Sequence, residues 1–518
     1  MKRIWLAFFL ALVSALPVGA EDEVRNLVVK IHATRRAPDL LKPWTKLSPV
    51  SVSGTGVVIE GEVILTNAHV VQYANPIYVQ PNQSADRIAA HVVAVAPALD
   101  LALLRLEDAE FFKERGALPF MDELPRVKDT VNVYGYPTGG SELSVTEGIV
   151  SRIEFAEYYY FGSGVRIQVD AALNAGNSGG PAVSQGKLVG LVFSRIRNAQ
   201  NIGYLIPVEE IRLFLEDVAD GKYDGKPQLH DTFQTVENDA LRARLRIPKG
   251  MGGLMVTEPY RTGDSYPLKE WDVVTHIGGQ PIDSEGKVAV RYDLRLSARY
   301  LVQKLGRNGA VELTVLRDGR SLKINMPLES QREFVVPYLM NRNPRYFIYG
   351  PLVFSPATQD YLERLGSQWE VSLGRQGSPL MARRYDKPAF AGEELVAVVS
   401  PMLPHRITKG YDDPNTAVIS EVNGIKVKNL KHLVEILRDA KEAQVVFKFA
   451  RTPSQARETL VFNRSEIVSA TEEILNDSGI RSPYSDDLRA VWEKTTKAAA
   501  DGRSATANAR LSKQAQPR

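Results

Sequence analysis

Ser178 stands in the run Gly176-Asn177-Ser178-Gly179-Gly180-Pro181. A serine hydroxyl becomes an effective nucleophile for acyl transfer only beside a general base that a third group orients. Two upstream runs supply residue types for those roles: His69 in Thr66-Asn67-Ala68-His69-Val70-Val71, and Asp100 in Leu99-Asp100-Leu101-Ala102-Leu103-Leu104. Glycine carries no Cβ and accepts positive φ, so the N–H groups of Gly176 and Ser178, with Asn177 between them, are able to point together at a developing oxyanion. His32, His91, His230, His276, His405 and His432 have no comparable setting. The chemistry that suits these residues is cleavage through an acyl intermediate, with His69 as base and Asp100 as its orienting carboxylate.

Strands must carry such a site. Gly56–Ile59, Glu62–Thr66, His91–Val95, Val131–Gly135, Val165–Val169 and Leu188–Phe193 are short apolar runs separated by Gly, Pro and Asn turns. That spacing predicts an all-β barrel or sandwich. After Pro207, Ile211, Phe214, Leu215 and Val218 recur at helical spacing, which predicts an amphipathic helix closing the region.

The chain order His69, Asp100, Ser178 is that of chymotrypsin-type proteases. The runs GTGVVIEGEVILTNAHVV, LDLALLRL, VYGYPTGG, TEGIVSRIE, QVDAALNAGNSGGP and NIGYLIP resemble the protease domain of the HtrA/Deg family through most of residues 50–218. The resemblance implies a mainly β fold: a chymotrypsin-like double β-barrel with the triad in the cleft between barrels, then two α+β PDZ-like domains, closest in layout to the plant-type Deg proteases. It also implies oligomers built on trimers, here a homotrimer or homohexamer. The segment Glu154–Arg166, with Tyr158-Tyr159-Tyr160-Phe161, reads either as a strand with one exposed aromatic face or, as the resemblance implies, as a loop that communicates between protomers and orders the oxyanion hole. In chymotrypsin-like folds, residues shortly before the nucleophile and a later strand line the P1 pocket. Leu173 and Phe193 are the candidates here, with Ala172 at the base and Arg195 near the mouth. No acid stands where it would select Lys or Arg, so a small or medium apolar P1 residue is expected.

The polar, Gly/Pro-bearing run Asp220–Pro227 reads as a linker. Beyond it, Val273–Ile282 and Val418–Val427 share a strand, turn, strand pattern, each followed by a helix and a β-rich run, Val311–Arg317 and Val445–Arg451. Both repeats resemble PDZ modules. In the first, Gly252, Gly253 and Leu254 are the candidate loop for capturing a peptide's C-terminal carboxylate, with Leu254–Val256 as the strand that pairs with the peptide. This module carries an insertion, Asp283 to Leu296. In the second, Phe347–Leu352 places Pro351 where an N–H donor would be useful, so a structural or oligomer-forming role is as consistent as peptide binding. The expected organisation is a signal peptide (1–20), a protease domain (21–219), a linker (220–227), two PDZ-like domains (228–332 and 333–470), an extension (471–494) and a disordered tail (495–518). The tail is Ala-, Ser-, Thr- and Lys-rich.

Lys2-Arg3, the apolar stretch Ile4–Leu16 and the small residues Val18-Gly19-Ala20 form an export signal. That stretch is shorter than the ~20 residues that span a bilayer, so no stable membrane insertion is expected. The periplasm is the expected compartment, with general secretion the alternative. A net charge of +3 over 518 residues gives nucleic acid no electrostatic purchase. The absence of cysteine excludes disulfides, thiolate metal sites and thiol catalysis. Neither metal nor organic cofactor is implied. The partners expected are unfolded polypeptides at the protease cleft and peptide C-termini at the first PDZ-like domain. The expected activity is ATP-independent endopeptidase action in protein quality control. The alternatives are a chaperone-like binder of unfolded clients and a regulatory protease with few substrates.

Overall fold

The computed structural model describes residues 19–494, apart from residues 114, 139, 159, 161, 196–202, 307 and 453–457; at residues 19–21, 194 and 195 it describes the backbone alone. The expected tail and all but the end of the expected signal peptide lie outside the described residues. The described residues divide into two compact units, one of residues 19–35 and 50–331, the other of residues 36–49 and 332–494.

The first unit begins with a closed barrel of β1 (Val28–Arg35), β2 (Val50–Ile59), β3 (Val63–Thr66), β4 (Ala74–Pro81), β5 (Ile88–Ala96) and β6 (Leu101–Leu106), in the order β1-β2-β3-β6-β5-β4. A second closed barrel follows, of β7 (Thr130–Gly135), β8 (Ser144–Tyr158), β9 (Gly162–Asp170), β10 (Pro181–Ser184), β11 (Lys187–Arg195) and β12 (Gly203–Pro207), in the order β10-β11-β12-β9-β8-β7. Alternating side chains fill each interior: Val29, Ile31, Val57, Ile64 and Leu104 in the first, Val131, Val150, Ile167, Val169 and Leu205 in the second. Closure leaves neither sheet with an open edge. The helix Val208–Asp217 buries Ile211 and Phe214, as their spacing requires.

The expected linker is not one. Lys226 is buried and its Nζ donates to Glu210 Oε2 (2.5 Å), to Tyr158 Oη (3.0 Å) and to the Ser163 carbonyl. Glu210 in turn accepts from the Val165 N–H at 2.7 Å. An unpaired buried ammonium would be costly, so this network holds the segment against the barrel.

Beyond it, β13 (Thr232–Thr235), β14 (Leu254–Glu258), β15 (Val273–Ile277), β16 (Gln280–Pro281), β19 (Ala310–Arg317) and β20 (Arg320–Pro327) form one sheet, ordered β13-β14-β15-β19-β20 with β16 beside β15. The insertion is a hairpin of β17 (Lys287–Arg291) and β18 (Leu294–Ser297). Its Val288, Leu294 and Leu296 belong to the same buried cluster as Val150 and Ile167 of the second barrel. Arg291 donates to the carbonyls of Leu124 and Pro125, at 2.6 and 3.0 Å. On the helix Arg299–Leu305, Tyr300 donates to Glu209 (2.7 Å) and Gln303 to the Ser163 carbonyl (3.1 Å). The first PDZ-like module therefore shares a core with the second barrel.

In the second unit, β21 (Phe347–Tyr349), β22 (Leu352–Pro356) and β23 (Val396–Val398) form one sheet, and β24 (Ile419–Val422), β25 (Ile425–Lys426), β26 (Gln444–Phe449) and β27 (Leu460–Asn463) another, ordered β25-β24-β26-β27. Phe347, Phe354, Leu433 and Phe447 are at its centre. Two expected boundaries are corrected here. Residues 36–49, counted with the protease domain in the sequence, belong to this unit, where Leu40, Leu41 and Trp44 pack beside Ile348 and Leu362. The supposed extension is part of the core: Ile480 and Leu488 are buried, and the Ile348 N–H donates to the Pro483 carbonyl at 2.6 Å. Tyr484 bridges to Phe347, so the chain's own segment pairs along the edge of β21.

Candidate active site

His69 sits on the short helix Ala68–Val71, which the buried side chains of Ala68, Val70 and Val71 fix to the first barrel. Asp100 occupies the turn before β6, between the buried Leu99 and Leu101, with a left-handed φ of 60°. Aspartate is among the few residues with a side chain that tolerate this region. The turn aims its carboxylate at the histidine: Oδ1 accepts the His69 N–H at 2.8 Å, and Oδ2 lies 2.6 Å from the ring Nδ1. Asn67 adds a third tie, its Nδ2 donating to the Asp100 carbonyl at 2.9 Å. A carboxylate accepts only, so Nδ1 carries the proton and Nε2 is left with its lone pair. Burial, the largest influence, disfavours the charged ring; the charge and hydrogen bond of Asp100 together outweigh it against a smaller opposition from Arg35, leaving the His69 pKa raised above 6.5.

Ser178 is half-buried in the turn between β9 and β10. Its carbonyl accepts from the N–H of Thr55, on β2, at 2.9 Å. Gly179 lies so close to Thr66 Oγ1 and the Asn67 backbone N that a Cβ there would sit 2.4 and 3.2 Å from them, which brings the turn against the segment that leads into the His69 helix. Among the described residues, the N–H groups of Gly176 and Ser178 donate to no protein acceptor. Asn177 differs: its N–H donates to the Asn174 carbonyl at 3.1 Å and its side chain is buried. A hole here would therefore have two backbone donors, with Asn177 spacing them rather than adding a third. Gly176 has a φ of 98°, and a Cβ there would lie 2.4 Å from the Tyr136 carbonyl, so no other residue fits.

The pocket candidates separate. Leu173 is half-buried and covers Gly203 of β12, where a Cβ would meet its Cδ1 at 2.1 Å. Phe193 instead packs against the large buried cluster that includes Leu191, Ile211 and Phe214, its ring 5.0 Å from the Arg166 guanidinium. Ala172 is exposed, which suits a rim and not the expected base. The Arg195 side chain lies outside the described residues, as do Tyr159 and Phe161. Tyr158 stacks on Arg166 at 3.8 Å, so its ring is engaged within the protomer. Among the described residues no three His, Asp or Glu side chains gather to hold a metal ion.

The carboxylate loop is misplaced in the sequence reading. Leu254 pairs with Thr235 on one side and Val274 on the other, so β14 has no edge for a peptide strand. The Gly253 N–H is engaged by the Asp283 carbonyl at 3.1 Å. The edge strand beside β14 is β13, with β20 at the far edge of the sheet; the repeat pattern did not flag β13 because Thr232–Thr235 has only one apolar residue.

A family profile described as a trypsin-like peptidase domain matches residues 54–191, and one described as a PDZ domain matches residues 335–487. Protease Do-like 2, chloroplastic, from Arabidopsis thaliana is 35% identical over 89% of this chain and 75% of its own length. Protease Do-like 4, mitochondrial, from the same organism is 34% identical over 80% of this chain and 77% of its own. The chain belongs to the HtrA/Deg family of serine proteases. Among solved structures, the HtrA-type protease AlgW with tripeptide is 24% identical, with a TM-score of 0.48 over 60% of this chain and 96% of that one. This HtrA/Deg chain is a serine endopeptidase, with a chymotrypsin-like double barrel ahead of its PDZ region.

Proposed function

We propose that this HtrA/Deg endopeptidase hydrolyses peptide bonds by a Ser178–His69–Asp100 acyl-enzyme mechanism and acts on unfolded or damaged proteins. The observation that carries the mechanism is the 2.6 Å contact of Asp100 with His69 Nδ1, beside the turn that bears Ser178. Ser178 Oγ attacks the carbonyl carbon while its proton passes to Nε2 of His69, and Asp100 stabilises the imidazolium. The oxyanion accepts from the N–H groups of Gly176 and Ser178. The C–N bond then breaks, and the Nε2 proton leaves with the amine. Water attacks the acyl carbon as His69 takes its proton, and Ser178 regains a proton as the acid product departs. Cleavage of casein by the purified protein tests the mechanism. Ser178→Ala is expected to lower turnover by a factor on the order of 10⁶, and wild-type cleavage by that variant would refute it.

The same proposal extends to export into the periplasm, to assembly as a trimer or hexamer, and to capture of peptide C-termini by the first PDZ-like module along β13. The charged, apolar and small-residue segments of Met1–Ala20 motivate export, and the other two rest on the family. N-terminal sequencing of periplasmic protein should begin near Glu21, and light scattering should give a multiple of three. An intact Met1 or an active monomer would count against these extensions.

A further inference from the structure

We propose that Thr55 is a positioning residue for the oxyanion site, acting through the carbonyls of the nucleophile turn; the proposal rests on the acyl-transfer reading of Ser178. Thr55 lies on β2 in the first barrel, and the turn belongs to the second. It is fully buried, and all its polar groups are engaged. Its Oγ1 donates to the Gly176 carbonyl at 2.8 Å and accepts the Tyr136 N–H at 2.9 Å. Its N–H donates to the Ser178 carbonyl, and its own carbonyl accepts from Thr66 Oγ1 at 2.7 Å.

The turn shows why those bonds matter. An oxyanion site needs two N–H groups directed to one point, which requires the neighbouring carbonyls to be directed elsewhere. From Ala175 to Ser178 each carbonyl has an anchor: Ala175 accepts from the Thr138 N–H (2.6 Å), Gly176 from Thr55 Oγ1, Asn177 from the Gly180 N–H (2.9 Å) and Ser178 from the Thr55 N–H. Thr55 thus supplies two of the four anchors, and its hydroxyl supplies the one at Gly176. Glycine is the residue whose peptide planes rotate most freely, so this carbonyl has the most to gain from an external hold. Without the hydroxyl, the Gly176 carbonyl and the Tyr136 N–H lose their partners in a buried setting. The peptide that bears this carbonyl joins the two donor-bearing peptides, Ala175–Gly176 and Asn177–Ser178. Its rotation to regain a partner would break the Asn177 N–H bond to Asn174 and, through the flanking torsions, turn the donors away from the oxyanion. The hydrogen bonds of the hydroxyl go to Gly176 and Tyr136 and not to the ring of His69 or to Asp100, so its effect falls on transition-state stabilisation and not on proton transfer.

The test compares Thr55→Val, Thr55→Ser and Thr55→Cys in the full chain, each assayed on a chromogenic peptide well below its unfolding midpoint, with Ser178→Ala alongside. Thr55→Val, near-isosteric but without the hydroxyl, is expected to lower kcat about 10- to 100-fold with KM nearly unchanged. Its affinity for a peptidyl boronic acid, whose tetrahedral adduct places an oxygen in the oxyanion site, should fall by the same factor. Thr55→Ser keeps the donor and should restore kcat to within about threefold. Thr55→Cys, a weaker donor, should fall between them and decides the matter if valine does not fold here. Thr275→Val removes a comparably buried hydroxyl–carbonyl bond in the first PDZ-like module and should leave both kcat and boronate affinity unchanged. Wild-type kcat in Thr55→Val or Thr55→Cys, a loss confined to KM, or a serine variant as poor as the valine variant would overturn the proposal. Full activity in Ser178→Ala would instead overturn the reading on which it rests.

Discussion

Below its pKa the His69 ring holds a second proton and cannot accept one from Ser178. Because Asp100 raises that pKa above 6.5 against the pull of burial, the acid limb of kcat/KM should lie above pH 6.5. The sign for stability is the opposite. A raised folded pKa contributes stability that is fully present below pH 6.5 and is lost as the pH rises through the folded value. In Asp100→Asn the raising influences go while burial stays, so the acid limb should move to lower pH as turnover falls by about 10⁴. A pH–rate profile of the two proteins checks both; an unmoved limb would mean that Asp100 does not set the ring's charge. At this scale the sequence was most legible. The proposed triad of His69, Asp100 and Ser178 stands out because the residue types suited to base, orienting acid and nucleophile are chemically distinct and sit in recognisable settings. Thr55 was not legible, although it lies in the run GTGVVIEGEV, since a threonine in a strand announces neither its partner nor the barrel that partner sits in.

Strand order, not strand content, decides where a peptide adds to the first PDZ-like module. β14 is paired on both sides, whereas β13 has β14 on one side only. If peptides with a free apolar C-terminus bind by strand addition, hydrogen exchange on the full chain should slow at Thr232–Thr235 when peptide is added and stay unchanged at Leu254–Glu258. The reverse pattern would return the site to the Gly252-Gly253 loop. The full chain is the right material, because Val288, Leu294 and Leu296 share a core with the second barrel and a fragment of residues 228–332 would expose them. The sequence pattern found β14 through its apolar run but is silent on which strands flank it, since register is set by long-range pairing.

The division of the whole chain into units departs furthest from its linear reading. Residues 36–49 leave the first barrel between β1 and β2 to join the second unit, and residues 480–488 complete that unit's core. Truncation after Gly479 removes Ile480 and Leu488, whose burial contributes roughly 3–6 kcal/mol together, a large part of a typical domain's stability. The second unit should then unfold in urea well before the first; an unchanged transition would show that the segment only decorates it. Local pattern by itself determined that the chain is mainly β, that residue types suited to serine acyl transfer stand in chymotrypsin order, and that a strand-turn-strand repeat follows. These features are legible because chemistry and strand periodicity are written in neighbouring residues. Only the tertiary structure decided that Lys226 is a buried anchor in place of a linker residue, that β13 lies at the edge beside β14, and that Thr55 bonds to the turn that bears Ser178. Each depends on a contact between residues that are many positions apart in the chain, such as Thr55 with Gly176, and no local periodicity encodes such a pairing.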